Sequence, residues 1–286
     1  MSGTTTHRAR KRFGQHFLEP AWVEKVIRAI NPQPGETFIE IGAGRGALTF
    51  PLARLAKAVA AYEIDRDLAA MLQARAPQNV AVFPNDFLNT DEYLSFETRP
   101  VLRVAGNLPY NIASPILFRL IAMHAASEPP DSPLIDATVM VQREVADRLV
   151  AEPGTREYGV LSVLVRHSAT VERLLNLPPG AFRPAPKVAS ALVRLRFHAP
   201  EPPVRSHRIF ERLVQAVFTR RRKMLANALL ACQDHGIRSG LSPDEALDRA
   251  RLDGRRRPET LSIHEFGRLA DVYAGDTLDG QRTPES

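Results

Sequence analysis

Short apolar, β-rich runs alternate with helical patterns through about residue 197 of this 286-residue chain, and this alternation constrains the fold most. It is typical of a parallel sheet with helices on both faces. The last two strand-like runs have no helix-length segment between them and are predicted to pair antiparallel. We predict a doubly wound, mostly parallel sheet of seven strands with an antiparallel last strand, formed by TFIEI (37–41), AVAAYEI (58–64), NVAVF (79–83), VLRVA (101–105), ATVMV (137–141), ATVERLL (169–175) and ALVRLRF (191–197).

The pattern changes at HAPEPPVRS (198–206), a Pro-rich segment that is typical of a linker. Beyond it, apolar residues such as Phe210, Leu213 and Val217 recur only at helical spacing. The predicted organisation is a basic N-terminal segment at 1–18, a sheet domain at 19–197, the linker at 198–206, a small all-helical domain at 207–274 and a disordered tail at 275–286.

Charge and cysteine content limit the class of protein. Lys and Arg number 38 against 32 Asp and Glu, a balance that permits a polyanionic partner without requiring one. Cys232 is the single cysteine, which excludes an internal disulfide and favours a reducing compartment such as the cytoplasm. No apolar run approaches the roughly 18 residues of a membrane span. No metal-ligand spacing is present among the histidines, and nothing indicates an obligate dimer, so we expect a monomer without a metal.

Side chains that suit a nucleoside cofactor follow three successive predicted strands. The first strand leads into EIGAGRGALT (40–49), whose glycines allow a tight turn and close approach of a ligand to the backbone. Their spacing is GxGxG, whereas the dinucleotide fingerprint is GxGxxG. The second strand ends at Glu63, where a carboxylate suits ribose hydroxyls. Asn85, Asp86 and Phe87 follow the third strand and suit the amino edge and face of an adenine, so the sequence predicts a site for NAD or S-adenosylmethionine.

The fourth strand leads into an amide, a proline and an aromatic ring, with no Ser or Cys nucleophile, histidine or carboxylate. With this segment included, the chain resembles the ribosomal-RNA adenine N6-dimethyltransferases, and its C-terminal segments resemble the members that act on small-subunit (16S) rRNA. The resemblance covers most of the chain, through RKRFGQHFL (10–18), EIGAGRGALT (40–49), YEID (62–65), NDF (85–87), GNLPYNIASPIL (106–117), QREVADRLVAEPGTREYGVLSVL (142–164), FRPAPKVASALVRL (182–195), RRKMLANAL (221–229) and RPETLSIHEF (257–266).

The resemblance implies a Rossmann-like class I methyltransferase fold and S-adenosyl-L-methionine as the cofactor. It also implies N6,N6-dimethylation of two adjacent adenines near the 3′ end of 16S rRNA, in a small-subunit precursor during ribosome biogenesis. His16 stands in the family's cofactor-contacting motif, where many members have Asn. The expected cofactor-binding residues are Gln15, His16, Leu18, Gly42, Gly44, Glu63, Ile64, Asp86, Phe87 and Asn107.

The loop after the fourth strand suits methyl transfer to an adenine amine, because the substrate brings the nucleophile and the cofactor brings the electrophile. The Asn107 side-chain oxygen and the Leu108 carbonyl are expected to accept the N6–H bonds and to stabilise the positive charge that develops. Pro109 stiffens the loop. Tyr110 is expected to stack on the flipped base, with Phe182 as the second stacking wall.

Basic residues form three runs, and a run of charge is usually only a solvated surface. In a chain with this resemblance, we expect the runs and the helical domain to contact RNA phosphates, which positions a substrate without reading its sequence. The predicted RNA-binding residues are Arg8, Arg10, Lys11, Arg12, Arg220, Arg221, Arg222 and Lys223, and Arg255, Arg256 and Arg257 form the third run.

Other functions remain compatible with parts of this pattern. A large-subunit rRNA adenine methyltransferase of the macrolide-resistance type shares the cofactor and catalytic motifs. A non-catalytic nucleic-acid-binding factor shares the fold, although the intact Asn-Leu-Pro-Tyr segment argues against lost catalysis. An NAD-dependent oxidoreductase is disfavoured by the glycine spacing and by the absence of a candidate proton donor.

Overall fold

The computed structural model describes residues 15–89, 101–126 and 134–279. Its contacts divide the chain into two compact units, one containing residues up to 146 and 170–197, the other containing 147–169 and 198 onward. Within the described ranges, no helix is long and apolar enough to cross a membrane.

The first unit is built on a seven-stranded sheet, as predicted. Its strands are β2 (Thr37–Ile41), β3 (Ala58–Tyr62), β4 (Val80–Phe83), β5 (Leu102–Asn107), β6 (Leu134–Gln142), β7 (Ala169–Leu177) and β9 (Ser190–Phe197). Five strands pair in parallel in the order β4-β3-β2-β5-β6, β9 pairs antiparallel with β6, and β7 lies beyond β9. The predicted fold class is therefore confirmed.

Five helices accompany these strands: α1 (Pro20–Ile30), α2 (Thr49–Leu55), α3 (Arg66–Gln73), α4 (Ala113–Ala125) and α5 (Arg143–Leu149). Of these, α2, α3 and α4 connect parallel strands. Val26 and Ile30 of α1 are buried, as is every residue of β2. Pro51 lies in the first turn of α2, where its missing amide hydrogen leaves no intrahelical bond unmade.

A two-residue pairing that the sequence did not predict holds the segment before α1. β1 (Phe17–Leu18) pairs antiparallel with β8 (Phe182–Arg183). The Glu19 amide also donates to the Ala181 carbonyl at 2.9 Å. These contacts fix residues 15–18 beside the sheet.

A buried ion network lies at the start of β5. Arg103 donates to both carboxylate oxygens of Asp136 at 2.8 Å each and to Glu36 at 2.8 Å. It also donates to the carbonyls of Ile30 and Asn31 at the end of α1, where a cation complements the helix dipole. The guanidinium therefore ties together a helix end and two strands.

Replacing Arg103 with methionine is expected to lower the free energy of unfolding by about 3 kcal/mol, because buried Asp136 loses its main cation. Denaturant unfolding at pH 7 measures this. Arg196→Met is the control, because its pair with Glu172 is exposed on both sides and should contribute less than about 1 kcal/mol. A loss no larger than the control's would contradict the role of the network.

The second unit is helical. Its helices are α6 (Val160–Arg166), α7 (His207–Thr219), α8 (Leu225–Leu229), α9 (Pro243–Ala250) and α10 (Ile263–Asp279). α10 continues past 274, where the sequence analysis ended the helical domain, and Asp276 accepts hydrogen bonds there from the Ser239 hydroxyl and the Gly240 amide.

Residues 147–169 group with these helices, whereas the sequence analysis placed them in the sheet domain. The Tyr158 hydroxyl donates to the Leu261 carbonyl at 2.9 Å, and the Gly154 amide donates to the Glu259 carbonyl at 2.7 Å. Such long-range contacts leave no periodic trace in the sequence.

Candidate active site

A pocket lies at the carboxyl ends of β2, β3 and β5, which are adjacent in the sheet. In an open α/β sheet, ligands bind at this edge, where neighbouring strands lead to opposite sides. The pocket brings together residues that are far apart in sequence. Of the predicted cofactor and catalytic residues, its lining contains Gln15, His16, Leu18, Gly42, Gly44, Glu63, Ile64, Asp86, Phe87, Asn107, Leu108, Pro109 and Tyr110.

The glycine loop after β2 needs a backbone conformation that favours glycine. Gly42 has a φ of 75° and Gly44 a φ of 56°. A Cβ on Gly42 would lie 3.2 Å from the Asn107 carbonyl oxygen, and one on Gly44 would lie 3.3 Å from the Phe17 ring. The glycines thus let the loop approach both the β5 end and the segment before α1.

The Glu63 carboxylate shapes the same loop. One of its oxygens accepts from the Gly44 amide at 2.7 Å, and the other accepts from the Asp65 amide at 2.9 Å. Asp65 in turn accepts from the Gln15 side chain at 3.1 Å. Each carboxylate oxygen can accept a second hydrogen bond, so these contacts are compatible with a ribose hydroxyl as a further donor.

Asp86 and Phe87 build the turn after β4. Asp86 accepts from the Leu88 amide at 3.0 Å and from the Asn89 side chain at 3.1 Å. The Phe87 ring packs edge-on against Tyr62 and is 3% exposed. Ile64 is 45% exposed and also lines the pocket, so it offers more apolar surface to a ligand than Phe87 does.

Glu40 is a pocket residue that the sequence analysis did not select. It is 2% exposed, and its Oε2 atom has no hydrogen-bond partner among the residues that the structure describes. The pKa of Glu40 is raised to about 8, chiefly by burial and in addition by nearby Glu63, while hydrogen bonding with Thr49 lowers it in part. The sequence does contain a sign of this residue, because Glu40 is an acid inside the apolar run TFIEI.

The loop after β5 is held from both sides. The Asn107 side-chain amide donates to the His16 carbonyl at 2.7 Å. Because a carbonyl only accepts, this contact identifies the nitrogen of the Asn107 side chain, and its side-chain oxygen is available as an acceptor. The Leu108 amide donates to the Met140 carbonyl at 3.1 Å. The Tyr110 and Ser190 hydroxyls share a hydrogen bond of 2.6 Å, and burial raises the pKa of Tyr110.

Phe182 is buried in the structure. Its side chain is 1% exposed and belongs to the apolar core with Leu18, Leu177 and Leu192. It does not contribute to the pocket lining. The stacking role expected of Phe182 stays a prediction, and its place in the core is what the structure shows.

The basic runs divide into residues with protein partners and residues that face solvent. Arg8, Arg10, Lys11 and Arg12 lie outside the described residues. Arg221 pairs with Glu259 and donates to the Thr155 carbonyl, and Arg256 pairs with Glu265. These bonds give Arg221 partners within the protein, and its predicted phosphate contact stays a prediction.

The second and third basic runs lie side by side. The Leu225 amide donates to the Arg256 carbonyl at 2.7 Å, and the Ala226 amide donates to the Gly254 carbonyl at 3.1 Å. The exposed cations of the two runs therefore lie in neighbouring segments of the second unit. We call this set the basic patch, formed by Arg222, Lys223, Arg255 and Arg257.

The fold and the pocket define a Rossmann-like protein with a pocket at the carboxyl ends of its parallel strands. Residues 6–268 match the ribosomal RNA adenine dimethylase family. The chain is 42% identical over 270 residues to ribosomal RNA small subunit methyltransferase A of Acinetobacter baylyi, which covers 93% of this chain and 92% of that protein. The chain therefore belongs to the ribosomal RNA adenine dimethylase family, and the predicted resemblance and methyltransferase class are confirmed.

Two solved structures extend the comparison. A dimethyladenosine transferase from Plasmodium falciparum superposes with a TM-score of 0.72 at 25% identity, covering 89% of this chain and 96% of that one. The 23S rRNA methyltransferase ErmE superposes with a TM-score of 0.62 at 25% identity, covering 90% of this chain and 99% of that one. A dimethyladenosine transferase and a 23S rRNA methyltransferase thus share this fold.

Proposed function

We propose that the chain, acting as a monomer in the cytoplasm, transfers methyl groups from S-adenosyl-L-methionine to N6 of two adjacent adenines near the 3′ end of 16S rRNA in a small-subunit precursor. The observation that carries this proposal is the convergence of the Asn107–Tyr110 loop and the cofactor segments in one pocket. The relative named for the small subunit is 42% identical, whereas the 23S enzyme is 25% identical, which favours the small-subunit substrate.

The pocket's chemistry fits a cationic nucleoside better than a dinucleotide. Glu63 is buried there, and its carboxylate disfavours a pyrophosphate but attracts an ammonium or sulfonium group. Glu63 suits ribose hydroxyls, and exposed Ile64 suits the face of an adenine. When bound, S-adenosyl-L-methionine supplies an electrophilic methyl group.

The protein's own contribution to the reaction is to hold the target amine. The Asn107 side-chain oxygen and the Leu108 carbonyl accept the N6–H bonds, which makes the nitrogen lone pair available and stabilises its developing positive charge. Tyr110 supports the base from a loop that Pro109 stiffens. The methylated amine loses its proton to water, so no tuned general base is needed.

The basic patch supports RNA binding by the second unit. Replacing Arg222 and Lys223 together with glutamine is expected to weaken binding of small-subunit particles and to reduce the slope of log K against log salt by about 2, because two phosphate contacts are lost. Arg221 is left intact because its ion pair with Glu259 stabilises the fold. Filter binding across a salt series measures the slope.

The matched control for the patch is the pair Arg208→Gln and Arg249→Gln. These exposed residues lie in the same unit, outside the two patch segments, and their replacement removes the same charge. An equal reduction of the salt slope in both double variants would show a general charge effect and refute the patch.

The proposed substrate is tested with isotopically labelled S-adenosyl-L-methionine and three acceptors: undermethylated small subunits, large-subunit rRNA and naked 16S rRNA. Mass spectrometry of nuclease digests locates the product. We expect N6,N6-dimethyladenosine at two adjacent positions near the 3′ end of 16S rRNA in the particles. Methylation confined to large-subunit rRNA would refute the proposal.

A further inference from the structure

His16 connects the segment before α1 with both residues that the proposed function assigns to the target base. Its carbonyl accepts from the Asn107 side chain at 2.7 Å. Its ring stacks on Tyr110, with centroids 5.5 Å apart and planes 23° from parallel. One residue therefore contacts the acceptor amide and the aromatic ring of the active loop.

The His16 ring is itself held in place. Its Nδ1 atom lies 2.6 Å from the Pro184 carbonyl oxygen. A carbonyl only accepts, so Nδ1 carries the hydrogen of this bond. The hydrogen bond restrains rotation of the ring in its own plane, and the stack restrains its tilt. Tyr110 has a second restraint of its own, because its hydroxyl bonds to Ser190 at 2.6 Å.

The contacts of His16 that bear on the loop are with protein groups. Its Nδ1 hydrogen bonds to the Pro184 carbonyl, and its main-chain oxygen accepts from Asn107. The ring face lies against Tyr110. These contacts act on the loop that handles the base.

We propose that His16 is a positioning residue for methyl transfer, which holds the Tyr110 ring in the orientation that the target adenine requires. This inference rests on the proposed function. His16 acts through Tyr110, and its ring is the part that matters, because the carbonyl contact to Asn107 belongs to the backbone and survives any substitution.

Three substitutions separate the two side-chain contacts. His16→Ala removes both, His16→Asn keeps a hydrogen-bond donor without a ring, and His16→Phe keeps a ring without the donor. We expect His16→Ala and His16→Asn to lower kcat for methylation of undermethylated small subunits about tenfold, since small misplacements of reacting groups slow catalysis. His16→Phe should restore kcat to within about threefold of the wild type, because the ring still packs on Tyr110.

Two further measurements make the test specific. Calorimetric titration with S-adenosylhomocysteine should give dissociation constants within about threefold of the wild type for all three variants, because a positioning residue contributes little to ligand affinity. In a double-mutant cycle, His16→Ala should have almost no effect on kcat in a Tyr110→Ala background, since its action passes through that ring.

Each outcome has a distinct meaning. Loss of S-adenosylhomocysteine affinity parallel to the loss of kcat would make His16 a cofactor ligand and overturn the positioning role. Additive effects in the cycle, or a fully active His16→Ala variant, would overturn it too. A wild-type protein that binds S-adenosylhomocysteine but methylates no adenine would instead refute the proposed function.

Discussion

Replacing Asn107 with alanine is expected to lower turnover about a thousandfold, because removing a group that stabilises developing charge in the transition state typically reduces turnover by this factor. Affinity for the cofactor should stay within about threefold of the wild type. The hydrogen bond from the Asn107 amide to the His16 carbonyl directs the side-chain oxygen to the acceptor role. Alanine removes that oxygen and leaves the Leu108 carbonyl as the remaining acceptor. The loss should therefore fall on kcat, since the interaction strengthens only as positive charge develops on the amine.

Single-turnover methylation of undermethylated small subunits measures this effect, and titration with S-adenosylhomocysteine measures affinity for the cofactor site. Asn227→Ala is the control, because this exposed asparagine of α8 lies in the other unit and outside the basic patch. Turnover of Asn107→Ala within tenfold of the wild type would contradict the acceptor role. A large loss of S-adenosylhomocysteine affinity would show that Asn107 mainly serves the cofactor.

The sequence predicted the sheet and most of the pocket because both follow from local patterns. Apolar runs of strand length mark β2, β3 and β5, and parallel neighbours place their carboxyl ends at one edge. Residues that follow different strands, such as Glu63 and Asn107, therefore meet in space without any contact being visible in the sequence. The glycine loop was predictable for the same reason, because its backbone angles favour glycine.

Contacts between distant segments were not predictable in the same way. The pairing of β1 with β8 involves two residues on each side, too few for a periodic signal, and it buries Phe182 in the core. The motif around Phe182 indicated a stacking wall, but burial is a property of the packed structure. The partner of Arg221 was also not predictable from the sequence. Its run of cations predicts a solvated or RNA-facing surface, and nothing in that run indicates an ion pair with Glu259.

Buried charge was the other feature that local patterns did not resolve. Glu40 and Arg103 each interrupt an apolar strand, and a sequence alone does not show which partners accompany such a residue. Arg103 is compensated by Asp136 and Glu36. Glu40 instead has one oxygen without a hydrogen-bond partner among the described residues, and it lies near a second acid, Glu63. The two buried charges therefore differ in how far their surroundings compensate them.

Stability of the ligand-free protein is expected to fall with rising pH because of Glu40. Its pKa is raised to about 8 from an ordinary value of 4.5, chiefly by burial. Between these values the folded state holds a proton that the unfolded chain has lost, so folding becomes less favourable as pH rises. At 1.4 kcal/mol for each pKa unit, this contribution to the free energy of unfolding falls by about 4 kcal/mol between pH 5 and pH 8.

Glu40→Gln is expected to remove this contribution, because the amide has nearly the shape of the protonated acid and does not titrate. Denaturant unfolding at pH 5 and pH 8 measures how far the free energy of unfolding falls in the wild type and in the variant. Other titrating groups contribute equally to both proteins, so they cancel when the two falls are subtracted. The fall should be about 4 kcal/mol smaller in the variant. Glu24→Gln is the control, since Glu24 is exposed on α1 and its replacement should leave the fall unchanged. If wild type and Glu40→Gln lose equal stability between the two pH values, Glu40 ionises normally in the folded protein.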